Sequence, residues 1–263
     1  MPSRYLLIKI FLLLSSNSFS QQGTLVIATI TPSSIIIAVD SRGCYYETDD
    51  HTIPPIAYFD SARKSFKLKQ FIVAIEGAFA LGYNFYYKII EDFNNTSFQD
   101  TSLLNTFNNF EEYLEKNYPL DSFPERRSNQ FIGGGYVNGK AEIIGMSDKG
   151  VLAHHIGRGT IVGDAAAMKY AAINATKEGS IFDKLENTIY DYARAANLTF
   201  KIGGPISIIQ IGTDNTAVSI KNDFSNSNYE TLKDFYEAVK NDRILMNYTV
   251  PDGKERLLKV MRH

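Results

Sequence analysis

The sequence predicts an α+β fold, two stacked antiparallel sheets lying between helix layers in a four-layer αββα sandwich. Two observations predict it. Short apolar runs rich in β-branched residues come in pairs joined by turn signals, and blocks of such runs alternate with pairs of longer segments whose apolar residues recur at helical spacing. The 263 residues are 44% hydrophobic, enough for one substantial core.

Residues 1–20 have the form of an export signal. Arg4 supplies a positive start, an apolar core runs from Tyr5 to Leu14 broken only by Lys9, and Ser18-Phe19-Ser20 offers a small-x-small cleavage site. That run is too short for a membrane span, and no other segment reads as membrane-embedded. The protein is therefore expected to be exported, to the periplasm or outside the cell. Residues 21–23 read as a short leader, 24–222 as the folded domain, and 223–263 as a polar linker with a C-terminal amphipathic helix.

Within the domain, TLVIATIT (24–31) and IIIAV (35–39) meet at Pro32-Ser33-Ser34 and predict a tight hairpin buried on both faces. Residues 43–60, with two prolines and many polar groups, predict a long loop. Along 64–68, Lys64, Phe66 and Leu68 share one face while Ser65 and Lys67 share the other. FIVAI (71–75) is another buried strand, closing at Glu76-Gly77. Helices are predicted over 79–93 and 102–118, the second marked by Leu103, Phe107, Phe110 and Leu114. Strands return over 130–137, 141–146 and 151–155. Helices follow over 162–177 and 181–196, then strands over 206–211 and 217–220, and a last amphipathic helix over 229–239.

Composition excludes several function classes. Lys+Arg 27 against Asp+Glu 29 leaves a net charge of −2 and no basic stripe, so no nucleic-acid partner is expected. The single cysteine, Cys44, rules out an internal disulfide framework and a cysteine-based metal site, and reads as a small packed side chain. His154 and His155 are adjacent on a strand and project to opposite faces, which does not suit one metal ion. Gly133-Gly134-Gly135 lies inside a strand pattern, so it predicts close backbone packing and not a phosphate loop. No cofactor and no metal are expected.

Three residues carry the chemistry. Lys64 faces inward on its strand, and a buried ammonium requires a partner. Asp40, ending the buried run IIIAVD, is the candidate. An ammonium near Thr24 would favour loss of a proton from its hydroxyl, and an α-amine on the same residue, once freed, is a well-placed base. The same residues also fit a structural Asp–Lys pair beneath a threonine without chemistry.

GTLVIATITPSSIIIAVDSRG resembles the opening of the proteasome β-subunit family, which includes the bacterial threonine protease that serves an AAA+ unfoldase. RKSFKL is similar to that family's K-I-F-x-L, FIVAIEG to its apolar strand ending in Ala-Gly, and GGPISIIQI to its closing strand. The sixteen residues from Thr24 to Asp40 equal the family's spacing without a gap. The resemblance implies the αββα sandwich and a nucleophile at Thr24 after cleavage of the Gly23–Thr24 bond. It implies Lys64 as the group that lowers proton affinity at Thr24, Asp40 as its holder, and the Gly77 N–H as oxyanion donor. It implies peptide or amide substrates and assembly of like subunits into rings.

The sequence departs from the family at three supporting positions. The Gly-Ser-Gly that follows the central strands aligns with Gly157-Arg158-Gly159, and Asp-x-x-Ser-Gly-Gly with Thr199-Phe200-Lys201-Ile202-Gly203-Gly204. Arg158, Thr199 and Ile202 therefore replace two serines and an aspartate. The two readings left standing are a threonine peptidase or amidase, and an inactive binding or assembly protein built on the same fold.

Overall fold

The computed structural model describes residues 24–46, 54–99, 101–199, 201–222 and 231–261. Residues 1–23, read from the sequence as an export signal and leader, lie outside them. The opening hairpin forms as its apolar runs predict, with β1 (Val26–Ile30) antiparallel to β2 (Ile35–Asp40). Next come β3 (Ser65–Leu68) and β4 (Phe71–Glu76), then three strands of a meander: β5 (Gln130–Val137), β6 (Lys140–Ser147) and β7 (Gly150–Ile156). The set ends with β8 (Gly159–Val162), β9 (Ile206–Ile211) and β10 (Ala217–Lys221).

These ten strands form two five-stranded antiparallel sheets, ordered β8-β1-β2-β9-β10 and β7-β6-β5-β4-β3. Strand alternation explains their packing. Val26 and Ala28 of β1, with Ile35, Ile37 and Val39 of β2, share a buried cluster with Ile72 and Ala74 of β4 and Ile132 and Ile143 of the other sheet. The opposite set, Leu25, Ile27, Ile36 and Ala38, packs instead on Leu185, Ile189 and Tyr192. Both faces of the hairpin are thus apolar, which is why its sequence shows no polar alternation.

The glycine run in β5 lets the neighbouring layers come close: a Cβ at Gly133 would meet the Phe107 ring on the helix side (2.9 Å), and one at Gly134 would meet Ile35 of the first sheet (3.2 Å).

Helix α1 (Tyr86–Asn94) and helix α2 (Leu103–Asn117) cover the second sheet through Ile89, Phe93, Phe107 and Phe110. Helix α3 (Met168–Ala175) and helix α4 (Ile181–Ala195) lie with the first. The Ser102 hydroxyl caps α2 by accepting from Asn105 N–H (3.3 Å). Ser102→Ala should cost about 1 kcal/mol, read as a lower urea midpoint at unchanged slope.

The structure corrects four boundaries. Residues 43–60 are not an uninterrupted loop: Gly43–Tyr45 pairs with Ala57–Phe59, which pairs in turn with Asn247–Tyr248. The helix expected from 79 begins only at Tyr86, because Gly82 takes a positive φ of 54° and turns the chain between two short strands. The helix expected from 162 is preceded by strand β8, which the reading of the sequence missed. At the C-terminus, α5 (Leu232–Lys240) carries the predicted amphipathic stretch, and α6 (Gly253–Val260) adds a helix that was not foreseen. Phe235 of α5 stacks among Tyr45, Phe59 and Phe85, joining the C-terminal segment to the residue 43–62 region. No helix among the described residues is long and apolar enough to cross a membrane.

Candidate active site

Thr24 stands where β1 begins, Asp40 where β2 ends, and Lys64 immediately before β3. Antiparallel pairing of β1 with β2 sets Val26 opposite Val39, so Thr24 and Asp40 come to the same end of the hairpin. Lys64 reaches them from just before β3 of the facing sheet. Phe66 and Leu68, which share its parity along the chain, turn instead to the helix side, so the alternation foretold that Lys64 is buried but not the direction it takes. All three are buried, at 3%, 1% and 4% exposure.

The Lys64 ammonium donates to Thr24 Oγ1 (2.7 Å) and to Asp40 Oδ2 (3.2 Å). Asp40 also accepts from the backbone N–H groups of Leu25 (2.9 Å), Arg42 (3.2 Å) and Gly203 (3.3 Å). Burial raises the proton affinity of the Asp40 carboxyl, while Lys64 and the Leu25 and Gly203 N–H groups oppose that rise. Four donors on two oxygens is the environment an ionised carboxylate needs. Lys64 is therefore held by Asp40 and aimed at the threonine hydroxyl.

Gly77 follows β4 at φ 110°, a conformation for which glycine is suited. A Cβ there would overlap the Asn129 side chain. Asn129 fixes this corner, its Oδ1 accepting from Ala78 N–H (2.7 Å) and its amide donating to the Tyr86 hydroxyl. Gly77 and Lys64 line one small pocket with Phe66, Ile75 and Phe79. Phe66, Phe79 and Arg63 also line a small neighbouring pocket, with Phe59, Ala62, Phe85 and Tyr87. An apolar recess therefore opens beside the Lys64 ammonium.

The supporting positions fall differently from the sequence alignment. Gly159 pairs with Ile30, at the far end of β1 from Thr24, so Arg158 does not stand beside the threonine. The loop that does reach the site leaves the other end of β8, where Gly163 N–H donates to the Val26 carbonyl (2.9 Å). Asp164 follows it, accepting from Ala166 N–H (2.8 Å) and from the Tyr192 hydroxyl. The error has a physical source. The four residues of β8 lie just after Gly157-Arg158-Gly159, and without that strand the first glycine pair looks like the turn into the helix.

Thr199 contributes its carbonyl, which accepts from the Arg42 guanidinium. Arg42 in turn grips Asp60 through two contacts of 2.6 Å. Ile202 is buried among the helix-facing apolar residues and offers no hydrogen bond from its side chain. Gly203, next to it, keeps its N–H on Asp40. Cys44 is no rival nucleophile, since burial pushes its thiol up to about 12. His154 pairs with Glu142 (3.0 Å), and His155 packs against Gly159.

One residue near the site escaped the sequence reading. Glu76 ends β4, one step before Gly77, and is 0% exposed. Its carboxyl lies directly against Gly163, where any side chain would collide with it. The signal was present in FIVAIEG, a charged residue closing a run with no other polar group.

No family model matches the chain, and no curated protein matches it. Among solved structures, it superimposes on the Anbu (Gly-1) mutant from Hyphomicrobium sp. strain MC1 with a TM-score of 0.51. The match covers 84% of this chain and 96% of that one, at 13% identity. The chain shares the fold of Anbu. At this identity the likeness speaks to the fold alone.

Proposed function

We propose that this protein is a proteasome-like threonine hydrolase, cutting peptide or other amide bonds through Thr24 once the residues before it are removed. The observation that carries the reading is the Lys64 ammonium held between Asp40 and Thr24 Oγ1, at 3.2 and 2.7 Å. Two sheets packed face to face, with helices against each outer side, support the four-layer αββα arrangement of that class.

In this mechanism the freed α-amine takes the hydroxyl proton as Oγ1 attacks the substrate carbonyl carbon. Lys64 stabilises the developing alkoxide, and Gly77 N–H receives the oxyanion. The amine then passes its proton to the leaving nitrogen as the C–N bond breaks, leaving an ester on Thr24. Water, deprotonated by the same amine, cleaves the ester and restores the hydroxyl. Export through residues 1–20 and assembly with copies of itself complete the proposal.

The first test is chemical. Full-length protein is purified and incubated, and the product's N-terminus and intact mass are read. The expected mature chain begins at Thr24. A stable mature chain beginning at Gln21 or Gln22 overturns the reading, because the nitrogen of Thr24 would remain an amide, and would favour the inactive binding protein. Ile202, which replaces a hydrogen-bonding group with a packed side chain, is the observation on that side.

A further inference from the structure

Glu76 is buried where an acid has no obvious structural use. Its strand belongs to the second sheet, and its side chain crosses to the edge of the first. Among the described residues neither carboxyl oxygen makes a hydrogen bond of ordinary geometry, and the donor beside it is the Val26 N–H. Native proteins rarely leave such a group unsatisfied, so each case calls for an explanation.

The surroundings are specific. Asp164 faces Glu76 from the loop after β8, with the Tyr192 hydroxyl of α4 bound to that aspartate. Asp40 lies beyond it at the end of β2, and the Lys64 ammonium approaches from before β3. Burial, Asp164 and Asp40 all favour the protonated carboxyl, while Lys64 and the nearby Val26 N–H oppose it only in part. With Thr24 in peptide linkage, this balance holds the Glu76 carboxyl well above the ordinary carboxylate range.

Backbone alternation indicates what could complete the site. Leu25 N–H points toward β2, onto Asp40 Oδ1. The Val26 carbonyl points the other way, toward Gly163. Groups on successive residues of an extended chain face opposite edges, so the Thr24 nitrogen shares the edge of Val26. That is the edge against which the Glu76 carboxyl lies.

We propose that Glu76 is the proton acceptor for the Thr24 α-amine, an acid that gains its partner only when the Gly23–Thr24 bond is cut. The cut creates an amine beside a carboxylic acid, and transfer of the acid's proton gives a carboxylate–ammonium pair. Return of that proton to Glu76 leaves the amine neutral, able to take the Thr24 hydroxyl proton as Oγ1 bonds to the substrate carbon. Glu76 touches no substrate atom; it is a positioning residue that sets the protonation state of the base. It does for the amine what Lys64 and Asp40 do for the hydroxyl. This deepens the hydrolase reading and rests on it for its role in turnover, but the pairing itself can be tested without turnover.

The experiment uses full-length protein carrying a protease site immediately before Thr24, so that one preparation supplies both states. Carbon-13 NMR of glutamate-labelled protein follows the Glu76 carboxyl, assigned by its loss in Glu76→Gln. The carboxyl is expected to stay protonated through neutral pH in the uncut chain and to be ionised at neutral pH after the cut. In the cut chain, Glu76→Gln should lower kcat by about 10–100-fold, leave KM within about twofold and move the acidic limb of the pH–rate profile. Glu76→Asp, which keeps an acid one carbon shorter, should restore part of the rate. Identical titration in cut and uncut chains overturns the proposal. So does an unchanged kcat and pH profile in Glu76→Gln when Thr24→Ala is dead. A cut-dependent titration in a chain that hydrolyses nothing supports the pairing and removes the hydrolase reading instead.

Discussion

Thr24→Ala is expected to leave a folded chain that neither processes itself nor hydrolyses any amide, with kcat/KM reduced by at least ~10⁴-fold, as for removal of other catalytic nucleophiles. The prediction is sharp because the hydroxyl is the only atom of Thr24 that Lys64 contacts through a hydrogen bond. The Lys64–Asp40 pair survives the change, so the fold should lose about 1.5–3 kcal/mol, the net value of one hydrogen bond to a charged donor. Chromogenic peptide hydrolysis and urea unfolding, run on the same preparation, separate the two effects. Full activity in Thr24→Ala would remove the threonine from the mechanism. Unfolding of the variant would instead mark Thr24 as a structural keystone of the hairpin end. Thr24→Ser then serves as the second arm, since it keeps the hydroxyl and should retain processing, at a reduced rate.

How much of this site was legible in the sequence depended on how local its determinants are. The opening hairpin could be read because both its faces are buried, giving unbroken apolar runs that end at Asp40. Lys64 could be read as buried because its strand alternates, with Phe66 and Leu68 buried and Lys67 exposed. Its direction could not, since Phe66 and Leu68 face the helices while Lys64, just before the strand, turns to the other sheet. Asp40 followed, since a buried ammonium demands a carboxylate.

The misreadings come from places where tertiary contacts override local pattern. Strand β8 is four residues long and earns its place by pairing with β1, including a Thr29–Thr160 hydroxyl contact of 2.7 Å. Nothing in GTIV announces that partner, and missing it shifted the expected turn to Arg158. Glu76 was visible as a residue but not as a member of the site. Its neighbour Gly163 lies far along the sequence, and only the stacking of the two sheets brings them together. The C-terminal helix α6 is short and polar on average, so its fully buried Leu257 gave no periodic signal.

Lys64→Met should be the most destabilising change at the site, by about 3–5 kcal/mol at pH 7, because it leaves a buried carboxylate without its cation. Methionine fills much of the same volume, so the loss reports charge more than cavity. The remaining Leu25, Arg42 and Gly203 N–H groups still point at Asp40, but they carry no full charge. The sign of the pH dependence follows from Asp40. Burial already raises its proton affinity in the folded chain, and removing Lys64 takes away the main opposing influence. A carboxyl whose folded affinity exceeds its unfolded one stabilises most below the unfolded value, about 3.9, and loses that contribution as pH rises through the folded one. The deficit of Lys64→Met should therefore shrink toward pH 4 and widen toward pH 7, provided it is measured as a difference from wild type at each pH. Asp40→Asn combined with Lys64→Met should flatten that dependence and recover part of the stability, so that the two changes are strongly non-additive. Both variants should also lose hydrolysis, since neither retains an ammonium beside Thr24 Oγ1. A deficit below ~1 kcal/mol at pH 7, or one that does not change with pH, would show that Asp40 is held by its backbone donors alone and that Lys64 is free to serve the threonine.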